Sequence, residues 1–182
     1  MLKNRIPNPI IRGIVEWLVA IAFAALLFFV VRSFVFRVAH VTGNSMEPTL
    51  SHGDMVILNR FSYLFTAPRV GDIVAFPFPE DPSEYYIKRV IAVSGDIVDL
   101  RNGVFYINEQ PLEDYFSLEP TVSFGDISFP VTVEDGRYFV LGDNRNQSMD
   151  SRFSSVSNVS ARDMVGRVAI RIYPFNRLGQ VD

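Results

Sequence analysis

The chain opens on one long apolar block and then changes character. From Trp17 to Val31 every residue is uncharged and most are apolar, and carrying the stretch back to Ile14 admits only Glu16. At ~1.5 Å of rise per helical residue this run nearly spans a hydrocarbon core of roughly 30 Å, so it predicts a transmembrane helix. A cleavable leader would share the cationic approach of Lys3, Arg5 and Arg12, but it wants small residues just past the apolar run. Here the chain reads Val31-Arg32-Ser33-Phe34-Val35-Phe36-Arg37, which is bulky and charged and favours an uncleaved anchor. A buried core helix stays open as an alternative, because the strictly uncharged stretch is short for a span.

Beyond the block, short β-prone runs are separated by Gly, Pro, Asp and Asn, and helical periodicity is scarce. The runs Val35 to Val41, Met55 to Asn59, Asp72 to Phe76, Tyr85 to Val93, Ile97 to Leu100, Val104 to Ile107, Arg137 to Leu141 and Val165 to Ile172 predict strands. The fold class is mainly β, an antiparallel sheet domain behind one N-terminal transmembrane helix. Asn102-Gly103, between two of these runs, supplies positive φ most easily and predicts a hairpin. Glu113 to Pro130 reads as a long loop, and Ser157 to Asp163 as one short helical turn. The expected organisation is a tail over 1–12, an anchor over 13–31 and one domain over 32–182. Lys3, Arg5, Arg12 and the amino terminus outnumber Arg32 and Arg37, so the positive-inside rule places the tail in the cytoplasm and the domain on the extracytoplasmic face of the cell membrane.

Composition narrows the chemistry. A formal charge of -3 offers no basic excess for a nucleic-acid backbone, so no DNA or RNA partner is expected. The absence of cysteine removes disulfides, thiolate metal sites and a cysteine nucleophile. His40 and His52 are the only histidines and lack the spacing that starts a zinc site, so neither a metal nor another cofactor is expected.

Three segments carry candidate chemistry. Gly43-Asn44-Ser45-Met46-Glu47-Pro48-Thr49-Leu50 follows a predicted strand. Gly43 frees the backbone and Pro48 stops the strand, so Ser45 is presented at a turn where local amides can face an oxyanion. By itself it also fits an ordinary Ser/Pro turn. Tyr85-Tyr86-Ile87-Lys88-Arg89-Val90-Ile91-Ala92-Val93 sets a lysine inside an apolar strand, on one face with Tyr86, Val90 and Ala92. If that face is buried the ammonium loses hydration and neutral lysine becomes available as a base. If it is an edge, the lysine snorkels to water. Gly142-Asp143-Asn144-Arg145-Asn146-Gln147-Ser148-Met149-Asp150-Ser151-Arg152 is denser in short polar side chains and Asp/Arg pairs than a surface turn requires.

In their order, and with Gly71-Asp72-Ile73-Val74-Ala75-Phe76 between the first two, these segments resemble the motif set of bacterial type I signal peptidases, membrane-bound Ser/Lys-dyad proteases of protein export. The resemblance implies that Ser45 is the nucleophile of an acyl-enzyme and Lys88 its general base. It implies that Ser148 orients the lysine, that Asp143 pairs with Arg89, and that Asp150 pairs with Arg152 to shape the last loop. It makes the Ser45 N–H an oxyanion donor, while Gly43 stands where some members carry a hydroxyl. Substrates would be secretory preproteins cut after small residues, typically Ala-x-Ala, with Val41, Val56, Ala75 and Ile87 lining the pockets. The substrate would lie extended between the strand leading to Ser45 and the strand near Ala75. Membrane lipid is a further implied partner, with Phe61-Ser62-Tyr63-Leu64-Phe65 as the candidate patch.

Other readings stay open at this level. A Ser/Lys repressor would need a DNA-binding domain where the anchor stands. A histidine triad would have to use His40 or His52, both close in sequence to Ser45. A membrane-tethered β-domain that binds exported peptides without cutting them is the alternative from another class.

Overall fold

The computed structural model describes residues 9–79, 81, 84–113, 117 and 121–181. Most of the expected N-terminal tail, 1–8, lies outside the described residues, as do 114–116 and 118–120 of the long loop, whose described remainder holds neither helix nor strand.

Helix α1 (Pro9–Val35) runs for 27 residues, longer at both ends than the anchor expected over 13–31. Pro9 sits in the first turn, where a missing N–H costs nothing. Glu16, the one charge inside the apolar stretch, is paired one turn back with Arg12 at 2.8 Å. Over Pro9–Val30 the mean hydropathy is 2.4 and none of the helix is buried, so it is not a core helix of the β domain. It is long and apolar enough to cross a membrane.

The helix passes without a linker into β1 (Phe36–His40). There follow β2 (Met55–Asn59), the single turn α2 (Ser62–Phe65), β3 (Ile73–Pro77), β4 (Tyr85–Val93), β5 (Ile97–Arg101), β6 (Val104–Ile107) and β7 (Gln110–Pro111). The chain then forms β8 (Val131–Thr132), β9 (Arg137–Leu141), β10 (Val159–Ser160), β11 (Gly166–Tyr173) and β12 (Gly179–Gln180). The larger sheet has the order β1-β2-β11-β3-β4-β9-β10, with β12 on β11, and the smaller β7-β6-β5-β8. Every pairing is antiparallel.

Each predicted run forms a strand, with ends within one residue of those expected. The short helical turn expected from Ser157 to Asp163 does not form. Ser157 takes a φ of 54°, which a right-handed helix cannot use, and Val159–Ser160 pairs with β9 instead.

The larger sheet coils, so that β1 and β4, three strands apart in its order, face each other across one cleft. Inside the coil lies a core of Val41, Met46, Leu50, Val56, Leu58, Ile73, Ala75, Ile87, Val168 and Val181. On the other face of β3 and β4, Val74, Phe76, Val90 and Val140 pack with Val156 and Met164. A bulge between Val90 and Ala92 then switches the alternation of β4. Ala92, expected on the face of Lys88, is turned by it into a third cluster with Ile91, Val98, Phe105 and Phe139 beneath the smaller sheet.

The β5–β6 hairpin turns on Asn102 and Gly103, with φ of 52° and 81°, the pair of positive angles that a two-residue turn of this hand demands. Gly103 is constrained twice, because a Cβ there would stand 2.7 Å from the carbonyl oxygen of Thr121. Gly103→Ala is therefore expected to cost about 2 kcal/mol, read as a fall in Tm of roughly 4–8 °C. An unchanged Tm would show that the 121 segment yields freely.

Candidate active site

Ser45 sits in the irregular turn between β1 and β2. Gly43 adopts a φ of 83°, as its place before the serine leads one to expect, and its N–H donates to His52 Nδ1 at 3.2 Å. Met46 and Leu50, both buried and linked by a 2.8 Å backbone bond, root the turn in the core. From below, Arg171 donates to the Thr49 carbonyl at 2.9 Å and to Asp54 at 3.0 Å, and Arg177 donates to the Pro48 carbonyl at 3.2 Å. Sequence reading missed these supports. Arg171 and Asp54 are 117 residues apart, and nothing in the spacing of either points to the other.

Lys88, in β4, is only 3% exposed, and its Nζ lies 2.7 Å from Ser45 Oγ. Burial pushes its pKa down from 10.5 to about 8; Asp150 and Asp143 pull it upward and Arg152 adds to the fall. The Tyr86 ring lies 4.9 Å from Nζ and is itself stacked on Phe78 at 4.5 Å, which backs the lysine with apolar surface.

The 142–152 loop packs against both groups through buried ion pairs. Arg89 grips Asp143 with two bonds of 2.9 Å and donates to the Gly71 carbonyl at 2.9 Å. Thr49 donates to the same carboxylate at 2.6 Å, so the serine turn, β4 and the loop meet at Asp143. Arg152 binds Asp150 at 2.8 and 2.9 Å and also donates to the carbonyls of Ser123, Arg145 and Ser148. The second Asp150 oxygen accepts the Gly142 N–H at 3.0 Å. Removing one partner of such a buried pair strands the other charge at a cost of about 3–5 kcal/mol. Arg145, given no role by sequence reading, is also buried, donating to the Gly142 carbonyl at 3.0 Å and lying 5.3 Å from the Phe105 ring.

Gly142 marks the closest approach in the site. A Cβ there would overlap both Ser148 Oγ and the Ser45 carbonyl oxygen, which also accepts the Asn144 N–H at 3.1 Å. Ser148 Oγ is buried beside this contact and has no hydrogen-bond partner among the described residues. Neither histidine is hydrogen-bonded to Ser45 among the described residues, and the Ser45 N–H donates to no protein group there.

Ser45 and Lys88 open onto a cleft of about 540 Å³. Of the four residues expected to line its pockets, Val41 and Ile87 do so. Val56 and Ala75 are fully buried in the same apolar cluster as Val41 and Ile87. Met46, Leu58, Met149 and Val165 complete the apolar lining. The expected docking strand is corrected. Ala75 is paired on both sides, to Ile87 and to Gly166, so β3 has no free edge at Ala75. The unpaired edges are β1, which bonds only β2, and Tyr85–Lys88 of β4, whose pairing with β9 begins at Arg89.

The sequence matches the family described as "Signal peptidase, peptidase S26" over residues 14–173. A probable signal peptidase I-1 of Synechocystis is 37% identical, covering 100% of this chain and 93% of that protein. A signal peptidase I P of Bacillus subtilis subsp. natto is 33% identical over 91% of this chain and 92% of its own length. A crystal structure of signal peptidase I from Enterococcus faecalis V583 is 30% identical, covering 57% of this chain and 98% of that one at a TM-score of 0.48. With a family match across most of its length and relatives above 30% identity over nearly all of it, this chain belongs to the signal peptidases of peptidase family S26.

Proposed function

We propose that this chain is an endopeptidase that removes N-terminal signal peptides from exported preproteins, cutting after small residues of the Ala-x-Ala type through a Ser45 acyl-enzyme with Lys88 as general base. The observation that supports it most is the 2.7 Å contact between Ser45 Oγ and the buried Lys88 Nζ, at the mouth of an apolar cleft with two unpaired strand edges.

Neutral Lys88 takes the Ser45 proton as Oγ attacks the scissile carbonyl carbon, and the resulting oxyanion faces the Ser45 N–H. Collapse breaks the C–N bond, and Lys88 returns the proton to the leaving amine, the new N-terminus of the mature protein. Lys88 then deprotonates a water that attacks the ester, and Ser45 leaves with the proton back on Oγ. Ser148 acts as a positioning residue for the lysine amine. Asp143 with Arg89, and Asp150 with Arg152, hold the loop against both groups. The P1 side chain meets Val41 and Ile87, and the substrate strand lies between β1 and β4.

The same reading makes α1 a single-pass anchor, with its N-terminus cytoplasmic and the β domain on the extracytoplasmic face. The Phe36 end of β1 then stands at the bilayer surface, and its register with Asn59 brings α2 to that end. Phe61 and Phe65, 48% and 73% exposed with rings 4.8 Å apart, are suited to lipid contact there. Polar replacement of both is expected to abolish stimulation by lipid or detergent, and unchanged stimulation would retire the contact.

Detergent-solubilised wild type is expected to cut a peptide after the second alanine of an Ala-x-Ala junction. Ser45→Ala and Lys88→Met should each lower kcat at least ~10³-fold. Because the working form is the neutral amine, activity should fall with falling pH, roughly tenfold per unit below the lysine pKa, which lies at about 8. If all three proteins cut alike, the cutting belongs to a contaminant and not to Ser45 and Lys88; if all bind the peptide and release it whole, the chain is a binding module.

Ser148→Ala separates positioning from packing. The hydroxyl is not bonded to the Lys88 amine here and has no partner to lose, so thermal stability should hold or rise, while kcat falls by about 10²-fold because the hydroxyl takes up the amine only once a substrate is bound. A variant with full kcat would remove Ser148 from the mechanism.

A further inference from the structure

The two inward-facing rows of the cleft do not end in apolar residues. On β1 the alternation sets Val41, Ala39 and Arg37 on one face, and on β4 it sets Ile87 and Tyr85 on another. Near Ser45 the rows are small and apolar. At the far end they meet: Arg37 Nη1 donates to the Tyr85 hydroxyl at 3.3 Å, and the guanidinium carbon stands 4.9 Å from the centre of the Tyr85 ring. Both residues line the cleft, and both sit on its unpaired strand edges.

Strand directions fix which part of a substrate would reach this contact. Successive antiparallel pairings through β2, β11 and β3 leave β1 and β4 running the same way, from the Arg37–Tyr85 end toward Ser45 and Lys88. The Arg37 end is also where α1 enters the domain. A substrate whose upstream segment is still held in a membrane therefore lies with that segment at the Arg37–Tyr85 end. Tyr85 precedes Lys88 by three strand positions, roughly 10 Å. That length of extended peptide reaches from the scissile bond to the third residue before it, and the opposing Arg37 extends the reach toward the fifth.

We propose that Arg37 and Tyr85 form an upstream subsite that clasps the backbone of an extended peptide three to five residues before the scissile bond and makes cleavage depend on upstream length. The inference rests on the signal-peptidase reading above. Apart from the bond to Tyr85, the Arg37 guanidinium donates to nothing among the described residues, which leaves N–H groups for substrate carbonyls. The Tyr85 ring, 39% exposed, supplies the apolar half of the grip. An isolated exposed cation–ring contact contributes little to folding stability, so its effect is to be sought in binding.

The test compares two peptides with the same Ala-x-Ala junction, one with three and one with six residues before the bond, cut by wild type, Arg37→Ala, Tyr85→Ala and the double variant. Wild type is expected to favour the longer peptide at least tenfold in kcat/KM. Arg37→Ala should bring that ratio near one, Tyr85→Ala should lower kcat/KM for both peptides and for the longer one more, and the double variant should leave the ratio near one, because the two side chains grip the longer peptide as a unit. Tyr85→Phe, which keeps the ring, should retain most of the preference. A flat wild-type ratio, or variants that lower both peptides equally, overturns the clasp while leaving the protease reading in place. Failure of wild type to cut either peptide overturns both.

Discussion

One carboxylate holds the three working segments in register. Asp143 receives a two-pronged grip from Arg89 on β4 and a hydroxyl from Thr49, four residues beyond Ser45, while standing at the start of the loop that carries Ser148. Arg89 and Lys88 are adjacent in a strand and point to opposite faces, so clamping one fixes the backbone from which the other projects. A buried ion pair seldom repays its own desolvation, and an apolar replacement often does as well for stability. What the guanidinium–carboxylate fork supplies is geometry, with distances set to a few tenths of an ångström between segments far apart in the chain.

The same pairing explains why burial dominates the lysine. Two carboxylates and two guanidiniums lie near Lys88, but they are bound to one another as Asp143–Arg89 and Asp150–Arg152. The two carboxylates raise the Lys88 pKa and Arg152 lowers it, and the loss of water is the largest cause of the net fall. Paired in this way, the charges hold the loop in place without overriding the effect of burial on the lysine.

Much of this was legible in the chain. Short β-prone runs bounded by Gly, Pro, Asp and Asn marked every strand of four residues or longer, because buried strands draw on β-branched and aromatic residues and end where turn residues begin. The two-residue strands β7, β8, β10 and β12 are too short to alternate, and one of them displaced an expected helical turn. The serine turn, the lysine strand and the polar loop stood out by composition, and the family resemblance joined them. Pocket residues were harder: Val41, Val56, Ala75 and Ile87 share one apolar cluster, and how far each is exposed to the cleft depends on how the sheet coils. The supports from Arg171 and Arg177 left no local signal, since their partners are backbone carbonyls and a distant Asp54.

The coiling has a consequence for the occupied state. In the order β1-β2-β11-β3-β4 the first and last strands face each other with unpaired edges, so the empty protein resembles a barrel with one stave missing. A peptide laid between them would complete a closed ring of six strands and remove two exposed edges at once. Occupancy and architecture are then linked: any ligand that fills the gap stabilises the domain by mass action. On the proposed mode of binding, the chain to be cut would itself be the strand that completes the fold.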